Sequence, residues 1–193
     1  MPTAAPGLFF CTAACVLLIF VSVSAPTWNS ISFLNVGTNS ANNGGSLHFG
    51  VFGFTGSGKS VGYNFPAGIV PDVSRLNTTT LHNLTGTLIL HPIAAALSGL
   101  TVLFGLCGLA HRVGTIFMTI MSVLAFIVTL LAWVIDMVLW GIVRDRVRDQ
   151  GVSAQYGNAN WLTLGALAAL ALSFCLGVCG SFGNYRRRRA AAY

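Results

Sequence analysis

Four long apolar stretches dominate the chain: Leu8 to Ser24, Thr87 to Ala110, Gly114 to Gly141, and Trp161 to roughly Phe182. A helix needs about 20 apolar residues to cross about 30 Å of hydrocarbon, and only a helix or a closed barrel satisfies its own backbone there. The last three stretches reach that length, and the first, at 17 residues, is marginal. Composition points the same way, with 54% hydrophobic and 7% charged residues, where soluble domains carry roughly 25% charge. A water-soluble globule is excluded by that balance, and so is a disordered chain, which needs low hydrophobicity and high charge. The expected fold is an all-α membrane protein, a four-transmembrane-helix bundle with a small β-containing extracellular loop domain.

The boundaries that follow are a first span in 1–24 with a short cytosolic N-terminus, an outer loop domain in 25–86, and a second span in 87–110. A tight cytosolic turn in 111–113 leads to a third span in 114–141, an outer loop in 142–160, a fourth span in 161–183 and a cytosolic basic tail in 184–193. The string VSA before Pro26 resembles a signal-peptide cleavage site, but no positive n-region precedes it and the following Pro opposes cleavage, so the span is expected to be retained. Within the outer loop domain, Ile31 and Phe33 alternate with polar partners, as do Leu47, Phe49 and Val51, which predicts short strands around a turn at Asn39 to Gly45. Both termini are placed in the cytosol. After Lys59 is discounted within the long loop, Arg112 and Arg186 to Arg189 outweigh Arg75, Arg144, Arg146 and Arg148. The outer side then holds two candidate N-glycosylation sequons, at Asn77 and Asn83. The plasma membrane is the expected location.

The net charge of +6 owes four cations to the run Arg186, Arg187, Arg188 and Arg189. That run reads as a stop-transfer anchor facing anionic lipids rather than a nucleic-acid surface. The segment GFTGSGKS, Gly53 to Ser60, matches the phosphate-binding pattern in its fixed positions, yet VGYNFP follows, where Gly62 and Pro66 oppose the helix that the motif needs. No nucleotide is expected there. Cys11, Cys15, Cys107, Cys175 and Cys179 all lie in apolar stretches, so neither a disulfide framework nor a zinc site is expected. The chain has no Glu, its four Asp are scattered, and His48, His82, His91 and His111 lack ligand spacing. No enzyme chemistry and no cofactor are expected.

One intramembrane carboxylate stands out, Asp136 in WVIDMVLW, since such a group is costly and marks function or a specific partner. Its helical face runs back through Ala132, Thr129, Ala125, Ser122 and Met118, a small or polar stripe suited to the bundle interior. His91 enters the second span at a matching depth, so the antiparallel hairpin predicts a contact between the two near the outer leaflet. A static contact fixing register is the favoured role over proton sensing. Gly165, Ala169, Ser173 and Gly177 recur every fourth residue as a helix-packing ridge, with Ala95 and Gly99 as a shorter counterpart; the ridge serves an internal contact or a homo-oligomer equally well. Trp140 and Trp161 are expected to flank the outer interface.

Five segments resemble a known group, the fungal PalI-like proteins of the claudin-like four-span superfamily: FGVFGF (Phe49 to Phe54), SVGYNF (Ser60 to Phe65), LHPIAAAL (Leu90 to Leu97), WVIDMVLWGIVRDRV (Trp133 to Val147) and YGNANWLTLGALAAL (Tyr156 to Leu170). The resemblance implies a plasma-membrane protein with a β-rich first outer loop over a left-handed bundle. It also implies a non-enzymatic helper in ambient-pH signalling, partnered by a larger seven-span sensor, with relatives that organise membrane domains or influence the cell wall. Two departures bear on this. Members commonly carry an outer cysteine pair where this chain has Thr55 and Lys59–Ser60, and several have a long cytosolic tail that is not matched here.

Overall fold

The computed structural model describes residues 5–37, 45–67, 71–110 and 112–190, with side chains left aside at 5, 109–113, 115 and 177–190. Helix α1 (Ala5–Ser22) is followed by strands β1 (Leu34–Gly37) and β2 (Ser46–Phe49), then by α2 (Thr79–Gly86), α3 (Leu90–Ala110), α4 (Arg112–Arg148), strand β3 (Ala154–Tyr156) and α5 (Asn158–Ala190). Three helical stretches, Thr79–Gly108, Ile116–Arg148 and Asn158–Leu176, are long and apolar enough to cross a membrane, and Pro6–Ser22 is a shorter apolar helix. The four long helices close a ring in which α1 packs on α3 and α5 while α4 packs on the same two. This is a helical membrane bundle with a small antiparallel sheet at one end.

Small residues let the helices approach. Ala14 of α1, Ala94 of α3, Ala125 of α4, and Ala166 and Ala169 of α5 are buried together around Leu18 and Leu170. Large side chains point outward along the same helices, as Ile116, Ile120, Leu124, Ile127, Leu131, Val134 and Val138 do on α4. That inversion, small inside and large outside, is expected where lipid is as apolar as leucine and close packing supplies the cohesion.

The sheet caps one end of the bundle in the order β2-β1-β3. Strand β1 pairs antiparallel with β2, Leu34 opposite Phe49, and with β3, Leu34 opposite Tyr156. The segments before and after the α3–α4 hairpin are therefore sewn together. The strand that was placed around Ile31 and Phe33 begins instead at Leu34, because Ile31 is tied into a turn by backbone bonds to Ala25 and Trp28. The turn expected at Asn39 to Gly45 falls almost wholly on residues outside the described ones. The third span was expected to end at Gly141 and give way to a loop, but α4 runs on to Arg148. Its extension is amphipathic: Val143 and Val147, one turn apart, are buried in the cap core beside Leu139 and Trp140. At Thr55, where the resemblance places a cysteine, hydrogen bonds do the joining: the Thr55 amide donates to the His48 carbonyl (3.0 Å) and its hydroxyl to Asn29 (3.3 Å).

Segment Gly53 to Ser60 forms a turn. Phe54 bridges to Phe49, and Ser57 Oγ accepts from the Phe54 amide at 2.9 Å. No helix follows Lys59 within the described residues up to Ala67.

Two stretches of backbone pass close together at Gly157, where a Cβ would overlap the Ser32 carbonyl oxygen, while a Cβ at Gly58 would meet nothing within 4 Å. Replacing Gly157 with Ala is expected to lower stability by about 1–3 kcal/mol, as overpacking does, whereas Gly58→Ala should stay within about 0.5 kcal/mol. Tryptophan-fluorescence melting of the detergent-purified chain checks the ranking; equal midpoints would show that the β1–β3 seam is not held this tightly.

Candidate functional site

The His91 and Asp136 side chains meet where the cap sits on the bundle. His91 lies in the first turn of α3, its backbone fixed by the short 3-10 turn Thr87–Ile89, and Asp136 lies on α4 twelve residues before that helix ends at Arg148. His91 is 0% and Asp136 1% exposed. His91 Nε2 stands 3.0 Å from Asp136 Oδ2. The approach is at ion-pair distance but off the line of a well-directed hydrogen bond, so neither atom has a hydrogen-bond partner of good geometry.

The other ring nitrogen settles the proton count. His91 Nδ1 lies 3.1 Å from the Leu88 carbonyl oxygen, which can only accept, so Nδ1 carries a hydrogen. Nε2 facing a carboxylate oxygen at 3.0 Å would then repel it unless one further proton lies between them. Imidazolium with carboxylate, and neutral imidazole with carboxylic acid, are the two forms that satisfy this, and both leave the pair with no net charge. A neutral sum is what allows two ionisable groups to sit away from water.

Aromatic rings roof the pair. Phe33 meets the His91 ring edge-on at 5.2 Å and stacks on Trp140 at 5.8 Å with an interplanar angle of 11°. Trp140, one turn above Asp136, is completely buried; it is a pillar of the cap core and not the interfacial anchor expected of it. The Phe33 and Phe49 rings, at 5.8 and 5.9 Å, enclose its indole and keep it off the outer surface of the bundle. Trp161 is exposed at the start of α5, as an interfacial residue would be. The Phe33 backbone is held from three sides: its amide donates to Phe49 (2.7 Å), and its carbonyl accepts from the Gly157 amide (2.8 Å) and from Asn160 Nδ2 (3.1 Å). Asn160 went unremarked in the sequence, where its one signal is a polar residue inside the first turn of an apolar helix.

The stripe behind Asp136 faces inward, with Ala132, Thr129, Ala125 and Ser122 all buried. On α5 the small-residue ridge divides. Ser173 is buried against α1, donating to the Gly7 carbonyl (2.9 Å) and lying 2.9 Å from Cys11 Sγ. Ala169 packs in the bundle core. Gly165 is exposed, at the margin of the Leu17 side chain, so the buried line runs through Thr163, Ala166, Ala169, Leu170 and Ser173 instead. Inward helix faces recur every three or four residues alternately, which a strict four-residue count drifts away from. Gly177 and Arg186, Arg187, Arg188 and Arg189 lie outside the residues whose side chains are described.

The two sequon asparagines differ. Asn83 is exposed on α2. Asn77 clamps one residue twice, its Oδ1 accepting from the Phe65 amide (2.8 Å) and its Nδ2 donating to the Phe65 carbonyl (3.1 Å). The hydrogen used in that clamp is the one on the same side as Oδ1, which is the position a sugar would take, so the clamp and a glycan on Asn77 exclude each other.

The sequence model of the SUR7/PalI family matches residues 3–176. The chain belongs to the SUR7/PalI family. The match covers the whole cap and the bundle through Ser173, and so takes in both members of the pair. No curated protein matches the chain.

Proton counting at the SUR7/PalI pair gives a specific expectation. Asp136→Asn can donate from its amide to Nε2 of a neutral His91, so it should cost less than about 1 kcal/mol, as the exchange of one satisfied hydrogen bond for another. Asp136→Ala or His91→Ala strands a buried partner and should cost about 3–5 kcal/mol, while the doubly apolar His91→Leu/Asp136→Leu chain should recover most of that. A double-mutant cycle in detergent reads the coupling; additive losses would mean that the two side chains do not interact.

Proposed function

We propose that this protein is a non-enzymatic accessory of the fungal plasma membrane that assists a larger, seven-span sensor in ambient-pH signalling. In this reading both termini are cytosolic and the sheet faces outward. Membership of the SUR7/PalI family supports the reading. The observation that carries it is the enclosure of the pair: the two ionisable side chains buried at the bundle–cap junction are spent on each other beneath Phe33, so neither is presented to a substrate. The pair fixes helix register and the seat of the cap, and detection of pH belongs to the partner.

A second reading, an organiser of plasma-membrane domains or of the cell boundary, is favoured by the outward face of α5, where exposed Gly165 and Ala168 leave room for another helix.

A deletion strain separates the two. Loss of alkaline growth together with a fall in the sensor's surface level is the expected result, and a chain carrying Asp136→Asn should restore both. Normal alkaline growth and sensor level with altered membrane patches would overturn the accessory reading and favour the organiser.

A further inference from the structure

We propose that Arg144, presented by Tyr156, binds the phosphate of a phospholipid headgroup in the leaflet on the sheet side of the membrane. Arg144 lies eight residues beyond Asp136 on α4, about 12 Å further along the axis. It stands where the exposed apolar face of α4, last represented by Val138 and Ile142, gives way to Asp145 and Arg148. That change marks the headgroup level, and Trp161, exposed in the first turn of α5, sits among the interfacial aromatics.

The guanidinium is oriented but not spent. Its carbon stands 5.0 Å over the Tyr156 ring, an arrangement that holds the planar fork while leaving its edge open. The Tyr156 hydroxyl lies along α4 beside Gly141, where a Cβ would be 3.5 Å away. Among the described residues Arg144 makes no hydrogen bond. Its Nε is buried without a partner, and the nearest carboxylate oxygen, on exposed Asp145, is 3.8 Å from Nη1. Asp145 opposes an anion. Arg148, one turn further on, adds a positive charge, though its Nε already donates to the Ala154 carbonyl at 2.9 Å. With Nε buried, the two Nη groups are the donors that a headgroup can reach, and a fork fixed on a ring at that depth suits the bidentate recognition of a phosphodiester.

Native mass spectrometry of the detergent-purified full chain, titrated with dioleoyl phosphatidylglycerol, reads the site. The wild type should retain one lipid more firmly than the rest. Arg144→Ala should weaken that retention roughly tenfold, the loss of about one charge-assisted hydrogen bond. Arg144→Lys, which keeps the stem and the charge and is the variant safest for folding, should lose several-fold because the fork is gone. Tyr156→Leu should also weaken retention, and Arg148→Ala, which removes a charge but no free fork, should weaken it less than Arg144→Ala does. Dioleoylglycerol, with the same tails and no phosphate, should show no dependence on Arg144. Unchanged retention in Arg144→Lys and Tyr156→Leu overturns the proposal. Equal retention of dioleoylglycerol overturns it as well, as does full displacement of the lipid by millimolar inorganic phosphate, which would make free phosphate the ligand.

Discussion

Placing a histidine and an aspartate inside a lipid-embedded bundle is tolerable only if they meet, and they meet only if a single extra proton lies between them. The Leu88 carbonyl fixes one hydrogen on His91 Nδ1, and the 3.0 Å separation from Asp136 fixes the need for another. That requirement locks α3 to α4 at one register. It also locks the cap, because the ring that shields the pair, Phe33, belongs to the segment leading into β1. A pair with a net charge, or one pulled apart, would need water, and both side chains are buried away from it.

From that junction the rest of the architecture follows. The Phe33 carbonyl collects donors from Gly157 and Asn160, so α5 begins where the sheet ends, and the β1–β3 ladder continues the same seam. The end of α4 supplies Leu139, Trp140, Val143 and Val147 to the cap core. At the opposite end, the contacts of Ser173 with Gly7 and Cys11 tie α5 to α1 and close the ring of helices. The cap is thus a continuation of the helices rather than a separate domain carried on a loop.

Hydropathy made the helical bundle legible, because apolar length reports directly on the solvent that a segment occupies. The meeting of His91 with Asp136 was legible as well, since both lie four or five residues from the outer ends of the second and third spans, which an antiparallel hairpin sets side by side. What escaped the sequence were features set by tertiary contact. Val143 and Val147 look like apolar punctuation in a charged loop until the cap core exists to receive them. Trp140 reads as an interfacial residue because its neighbours are apolar, yet the Phe33 and Phe49 rings cover it. The ridge left the buried line at Gly165, while Ala169 and Ser173 stayed on it, because a four-residue spacing overshoots the helical repeat. Asn160 was invisible because its partner is a backbone carbonyl 127 residues away, and backbone groups leave no trace in composition.

The most direct measurement is nitrogen-15 magnetic resonance of the His91 ring in lipid near neutral pH. The account requires a protonated Nδ1 donating to a carbonyl, and an Nε2 whose shift changes when Asp136 is replaced with Asn. A bare, pyridine-like Nδ1, or an Nε2 signal indifferent to residue 136, would contradict it.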